Sequence, residues 1–248
     1  MNSIHIPKVD RRYWAAITLA SVFGTNLGDL YAHNSGLGVG VGLLILAVIA
    51  MAGVLLERVD TRAHQVYYWL VIIIIRTGAT NIADGLAHLV RIPGSELPRL
   101  ILALFFAVMI SLFGWRSVRG ARQQSNGLPN TDTNYWFAML GAGVFGTLLG
   151  DVFAHLLGQG AASLVLAVML ALALLLRHRG LLGQTTAYWV TVSVARTAGT
   201  AMGDWFAENK VLNIGLPLST LLTGAAFVTV LLLWRSRPAK RVGLGPAI

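Results

Sequence analysis

Two hydrophobic patterns alternate along this chain. In one, apolar residues run on without interruption: residues 37–56 and 211–234 contain no Asp, Glu, Lys or Arg, and 161–176 is shorter and equally charge-free. In the other, polar residues recur at helical spacing inside otherwise apolar stretches. A helix needs about 20 apolar residues to cross a bilayer. The alternation predicts eight helical spans, at 13–33, 37–56, 67–90, 97–116, 135–158, 161–176, 187–208 and 211–234. The expected fold is therefore all-α: a polytopic membrane protein of eight transmembrane helices.

The polar pattern is the same in all four odd-numbered spans. Tyr13-Trp14, Tyr68-Trp69, Tyr135-Trp136 and Tyr188-Trp189 each lead to an aspartate 15 residues after the Trp: Asp29, Asp84, Asp151 and Asp204. Four residues before each aspartate stands Thr25, Thr80, Thr147 or Thr200, and four after it His33, His88, His155 or Glu208. Residues four apart share a helix face, so Thr, Asp and His/Glu form one polar stripe. Beside it runs a stripe of small residues, Gly24/Gly28, Ala79/Ala83, Gly146/Gly150 and Gly199/Gly203, which lets helix backbones approach closely. Leu27, Ile82, Leu149 and Met202 point away from both stripes and make a third, lipid-facing edge. The economical arrangement gathers the four motif helices with their polar stripes toward a shared interior.

Charge orients the spans. Of the 19 Lys and Arg residues, fourteen fall in the termini and loops of one side and three on the other (Arg91, Arg99 and Lys210), with Arg76 and Arg196 inside spans. The positive-inside rule then places both termini in the cytoplasm. The Tyr-Trp pairs open each motif span, where aromatic belts belong. Residues 1–12 are polar and basic and run directly into the first span without a small-residue cleavage site, so no cleaved signal peptide is expected.

Composition agrees: 56% of residues are hydrophobic and 12% charged, against about 25% charged in soluble domains. The net charge of +9 is explained by loops on one membrane face, so no nucleic acid partner is expected. The absence of cysteine excludes disulfides and thiolate metal sites. No nucleophile elbow, zinc-protease motif or phosphate loop occurs, and no enzyme activity is expected.

Each motif helix followed by a plain apolar helix is one unit, so all four units share an orientation. Arg76-Thr77 and Arg196-Thr197 tie units two and four together, as the Gly-Asp-x-x-x-His ending ties units one and three. The expected organisation is two parallel four-helix halves, 1–120 and 134–248, joined by a polar cytoplasmic linker at 121–133.

An aspartate at the bilayer centre costs about 2.5–3.5 kcal/mol on insertion scales, and such groups mark ion paths or proton relays. At ~1.5 Å per residue the aspartates lie about 22 Å beyond their tryptophans, in the outer half of the bilayer. Carboxylate, imidazole and hydroxyl donors suit Mn2+, Fe2+ or Zn2+ better than Cu(I). Competing roles exist for each group. Thr hydroxyls can bond back to their own helix. The aspartates can bond neighbouring helices, Arg76 and Arg196 can serve as their counter-ions, and the histidines can be solvated helix ends. Asp10, Asp60, Asp132, Glu57 and Glu96, with His5, His64 and His178, fall in loops and need no function.

The four Tyr-Trp…Gly-Thr-x-x-Gly-Asp units resemble a family of bacterial polytopic proteins described as uncharacterised membrane-anchored proteins, which carry four copies of a short membrane repeat of unknown function. The resemblance covers nearly the whole chain. Unit two departs from it by Ala79 and Ala83, unit four by Glu208. It implies a multi-pass protein of the bacterial inner membrane.

The leading expectation is a secondary transporter or exporter of a small cation, with a divalent metal ion such as Mn2+ as substrate and protons as the coupling ion. Asp29, Asp84, Asp151 and Asp204, with Thr25, Thr80, Thr147 and Thr200, would bind ion or proton. His33, His88, His155 and Glu208 would complete an outer metal-ligand set, and Arg76 and Arg196 would be internal counter-charges. Two alternatives are a membrane redox protein holding haem between His33 and His155, and a non-transporting scaffold or sensor.

Overall fold

The structure is a computed structural model that describes residues 6–36, 38–59, 65–119, 128–129, 131–210 and 212–235. Most of the expected linker 121–133 lies outside the described residues, as do His5, Asp60 and His64. Among the described residues there are eight helices: α1 (Arg11–Asn34), α2 (Gly38–Val59), α3 (Gln65–Leu89), α4 (Leu97–Arg119), α5 (Thr133–Leu157), α6 (Gln159–His178), α7 (Gln184–Glu208) and α8 (Leu216–Arg235). The described residues are all-α, with one isolated bridge among them, between Ile92 and Ser95 in the α3–α4 connection.

Local chemistry sets the helix ends. Asp10 and Asp132, read as idle loop acids, are N-caps: Asp10 accepts from the amides of Arg12 (2.8 Å) and Tyr13 (3.2 Å), and Asp132 from that of Tyr135 (2.8 Å). Each occupies donors that a helix start leaves unpaired. α8 begins five residues later than the apolar run does, because Asn213 (φ 46°) and Gly215 (φ 74°) turn the chain first. Pro98 and Pro217 sit in the first turn of α4 and α8, where a missing N–H costs nothing.

The packing follows a ring. α1 packs on α3, α3 on α5, α5 on α7 and α7 on α1, which makes a closed central bundle of the motif helices. Each plain helix packs chiefly on the motif helix of the next unit: α2 on α3, α4 on α5, α6 on α7, and α8 back on α1. The plain helices carry the outer apolar surface, including Leu44, Val48, Leu104, Phe105, Leu164, Leu172 and Leu233. Leu27 and Ile82, expected on a lipid edge, are half-buried against the core.

Five helical segments are long and apolar enough to cross a membrane: α3, α4, α5, α6 and 216–234 of α8, with a shorter apolar segment at Gly40–Leu56. α1 and α7 fall short because they surround the same polar motif with fewer large aliphatic residues than α3 and α5 do. Being enclosed on several sides by other helices, they need no apolar circumference. The protein is a membrane protein by this measure.

Candidate functional site

Each motif helix presents the same positions to the central axis, which arranges the functional side chains as layers. The first layer is formed by Tyr13, Tyr68, Tyr135 and Tyr188, all fully buried. Their hydroxyls close a square: Tyr13 to Tyr68 2.8 Å, Tyr68 to Tyr135 2.6 Å, Tyr135 to Tyr188 2.9 Å and Tyr188 to Tyr13 2.6 Å. A hydroxyl has one proton and can accept as well, so four protons serve four bonds and every oxygen donates once and accepts once. This corrects the expectation of an aromatic belt. Neither the tyrosines nor Trp14, Trp69 and Trp189, all at most 6% exposed, face a membrane surface. Period and position alone do not separate an inward aromatic from an outward one.

Eight residues before each aspartate the axis position is Ser21, Arg76, Gly143 and Arg196. The arginines stand on diagonally opposite helices, with a small residue between them on either side. Both are fully buried, and their guanidinium groups reach across the axis to other motif helices. Arg76 Nη1 donates to Thr80 Oγ1 (3.1 Å), Thr147 Oγ1 (2.9 Å) and the Gly143 carbonyl (3.3 Å), and Nη2 to Thr25 Oγ1 (2.5 Å) and Thr200 Oγ1 (2.6 Å). One guanidinium therefore occupies the centre of a ring made by all four motif threonines. Arg196 lacks such a ring. It reaches Ser21 Oγ (3.3 Å) and Met139 Sδ (3.9 Å); the Nε of each arginine has no partner.

Three of the four threonines are set to accept from the axis. Thr25, Thr80 and Thr200 give their hydroxyl protons to the carbonyls of Ser21 (2.9 Å), Arg76 (3.3 Å) and Arg196 (3.2 Å). The back-bonding role and the axial role thus coexist. Once the proton is spent on the helix, only lone pairs remain for the axis. Such a ring attracts cations and repels anions.

The small stripe sets the width of the axis. A Cβ on Gly24 would stand 2.5 Å from Arg76 Cγ, and one on Gly146 would stand 2.6 Å from Arg196 Cβ. Unit two carries Ala79 in place of glycine because the facing residue on α5 is Gly143: a Cβ there would meet Ala79 Cβ at 2.5 Å. The departure in one unit is matched by a glycine in the next.

Beyond the threonines lie the acids. Asp84 is exposed, and Asp29, Asp151 and Asp204 are half-buried. Arg76 lies within electrostatic range of Asp204, Asp29 and Asp84, while Arg196 lies nearer the four tyrosines. Among the described residues no ion pair joins either arginine to an acid; Glu96 pairs with Arg99 (2.6 Å), and His155 Nδ1 lies 3.5 Å from Glu96. His33 Nδ1 contacts its own Asp29 carbonyl at 2.7 Å, and Glu208 accepts from Gln159 Nε2. His33, His88, His155 and Glu208 are all exposed. Among the described residues no three carboxylates and imidazoles converge in a group that could hold a metal ion.

Sequence reasoning singled out the threonines, acids and arginines. It passed over Ser21, Gly143 and Met139, which carry no polar repeat, and Glu96, which a loop brings to His155. The available signal for Ser21 and Gly143 was their register: they share the position of the two arginines.

Residues 12–60 and 187–238 match the model of a family described as a repeat of unknown function, DUF347. These stretches contain the first and fourth motif units. No curated protein and no solved structure matches it.

Proposed function

We propose a secondary transporter or exporter of a small cation in the bacterial inner membrane. All eight helices cross the bilayer, with both termini in the cytoplasm, and the pathway runs along the axis between α1, α3, α5 and α7. The observation that carries this reading is the ring of four threonine oxygens, three of them with their protons given to their own helices, filled by the guanidinium of Arg76. An axis lined by lone pairs in a low-dielectric interior favours a positive charge, and Arg76 supplies one from the protein itself.

Asp29, Asp84, Asp151 and Asp204 receive the cargo, a divalent metal such as Mn2+, from the outer end, in exchange for protons. His33, His88, His155 and Glu208 lie at the mouth as outer ligands. Arg76 is a tethered competitor. The aspartates stand about 6 Å beyond the threonines along the helix axis. A unit charge there and the guanidinium repel by about 3 kcal/mol at an effective dielectric of ~20. Cargo binding thereby biases Arg76 out of the ring, and the tyrosine square closes the opposite end until that happens.

The test is Mn2+ flux into proteoliposomes. Wild-type protein transports; Asp29→Asn and Asp151→Asn transport at least tenfold less, with retained monodispersity. Wild-type flux in both variants would sink the proposal.

A further inference from the structure

Of the motif tryptophans, Trp69 is roofed by rings from a plain helix and Trp14 is not. Where α8 approaches α3, the motif residue Trp69 is covered by Phe227 (ring centroids 5.8 Å apart) and Trp234 (6.1 Å). Where α6 approaches α1, the equivalent Trp14 meets no ring from α6, which contains no aromatic residue. It meets Arg177, whose guanidinium carbon lies 4.9 Å from the ring centroid. The shortfall in side-chain volume leaves a groove of about 1000 Å³ between α1 and α6 at the tyrosine end, within the size range of small-molecule sites. Its apolar wall includes Trp14, Leu19, Leu174 and Leu175, and its rim carries Arg11, Arg177 and His178. The one acid on the rim, Asp10, is engaged by the amides of Arg12 and Tyr13.

Arg177 Nη1 is buried and has no acceptor. A guanidinium nitrogen removed from water without a partner is costly, and the missing partner is an acceptor on an anion. The second large groove, about 470 Å³ beside Trp189, has no charged residue in its lining. The combination of apolar wall and basic rim is thus peculiar to the α1–α6 groove of the two.

We propose that this groove holds one anionic phospholipid, its phosphate on Arg177 and Arg11 and an acyl chain along Trp14, Leu19 and Leu174. The reading rests on the membrane assignment and not on transport. Basic pockets between transmembrane helices on the cytoplasmic side take acidic headgroups, and the basic rim lies on the side that charge counting places in the cytoplasm. The lipid completes the wall that Phe227 and Trp234 complete elsewhere.

Native mass spectrometry of the full chain tests it, with dioleoyl phosphatidylglycerol and dioleoyl phosphatidylcholine offered in equal amounts. Wild-type protein is expected to retain one phosphatidylglycerol in preference. Arg177→Gln and Arg11→Gln are each expected to weaken that retention about fivefold, the equivalent of about 1 kcal/mol per arginine near the surface. Arg91→Gln, at the opposite end, leaves it unchanged. Leu175→Trp keeps both charges but fills the groove, and is expected to abolish the preferential retention; it decides the matter if an arginine variant does not fold. Equal retention of the two lipids overturns the proposal, as does preference unaffected by Leu175→Trp. Displacement of the lipid by millimolar inorganic phosphate also overturns it, since a free anion would then be the true ligand.

Discussion

At the scale of single residues, the two buried arginines differ in what surrounds them, and that difference sets the cost of removing each. Arg76 satisfies four hydroxyl oxygens and a carbonyl, whereas Arg196 has one hydroxyl at 3.3 Å and a thioether. Removing a well-partnered buried ion leaves its partners stranded, but replacing a poorly partnered one by a hydrophobic side chain of similar size is often neutral or stabilising. Arg76→Met is therefore expected to destabilise the protein by at least about 2 kcal/mol more than Arg196→Met, read as unfolding midpoints in detergent. Equal midpoints would contradict the assigned partners. The glycines make a second contrast. Gly24→Ala drives a Cβ to within 2.5 Å of Arg76 and is expected to cost about 1–3 kcal/mol. Gly40→Ala, where nothing lies within 4 Å, is expected to be neutral or to stabilise by up to about 1 kcal/mol through helix propensity. Which glycines matter was not legible from small-xxx-small spacing, because spacing does not say what stands opposite.

At the scale of elements, helix number and nearly every boundary were legible. The 3.6-residue period, the capping acids and the Gly and Pro stops are local, and local chemistry acts before any tertiary contact forms. The four polar stripes were legible for the same reason. The tyrosine square was not, since it is a contact among four helices separated by 53 to 67 residues between consecutive members and by 175 at its closure. Its test is Tyr135→Phe. That change leaves Tyr68 and Tyr188 each one bond short, and at about 1 kcal/mol per interhelical bond the loss should be about 1–2 kcal/mol. Tyr31→Phe, whose hydroxyl only donates to Gly42 O at the half-buried edge of α1 (3.2 Å), should cost less. Thermal unfolding of the pair separates a cooperative ring from four independent hydroxyls.

For the whole molecule, the ring topology joins what the repeat order divides. α4 of the first half packs on α5 of the second, and α8 returns to α1, so each half depends on the other to cover a motif helix. Separately expressed 1–120 and 134–248 are expected to be monodisperse only when co-expressed, as size-exclusion chromatography would report. Orientation has a direct test because the chain lacks cysteine. With both termini cytoplasmic, a thiol at exposed Asn34 (Asn34→Cys) reacts with an impermeant maleimide added to intact cells. A thiol at exposed Leu181 (Leu181→Cys) reacts only after permeabilisation. The reverse pattern inverts the topology and moves the acids to the cytoplasmic end.

The sequence by itself determined the all-α class, the eight helices, the fourfold unit and the residues that form its polar stripe. Each of these follows from periodicity and composition within one segment. Only the tertiary structure decided that the arginines fill the axis, that one of them sits inside the threonine ring, and that the tyrosines close a buried square. The physical reason is that four nearly equivalent helices present the same positions to one narrow line, and a line that narrow admits one guanidinium at a level. Equivalent residues must then occupy different levels, and that ordering exists only once all four helices have met.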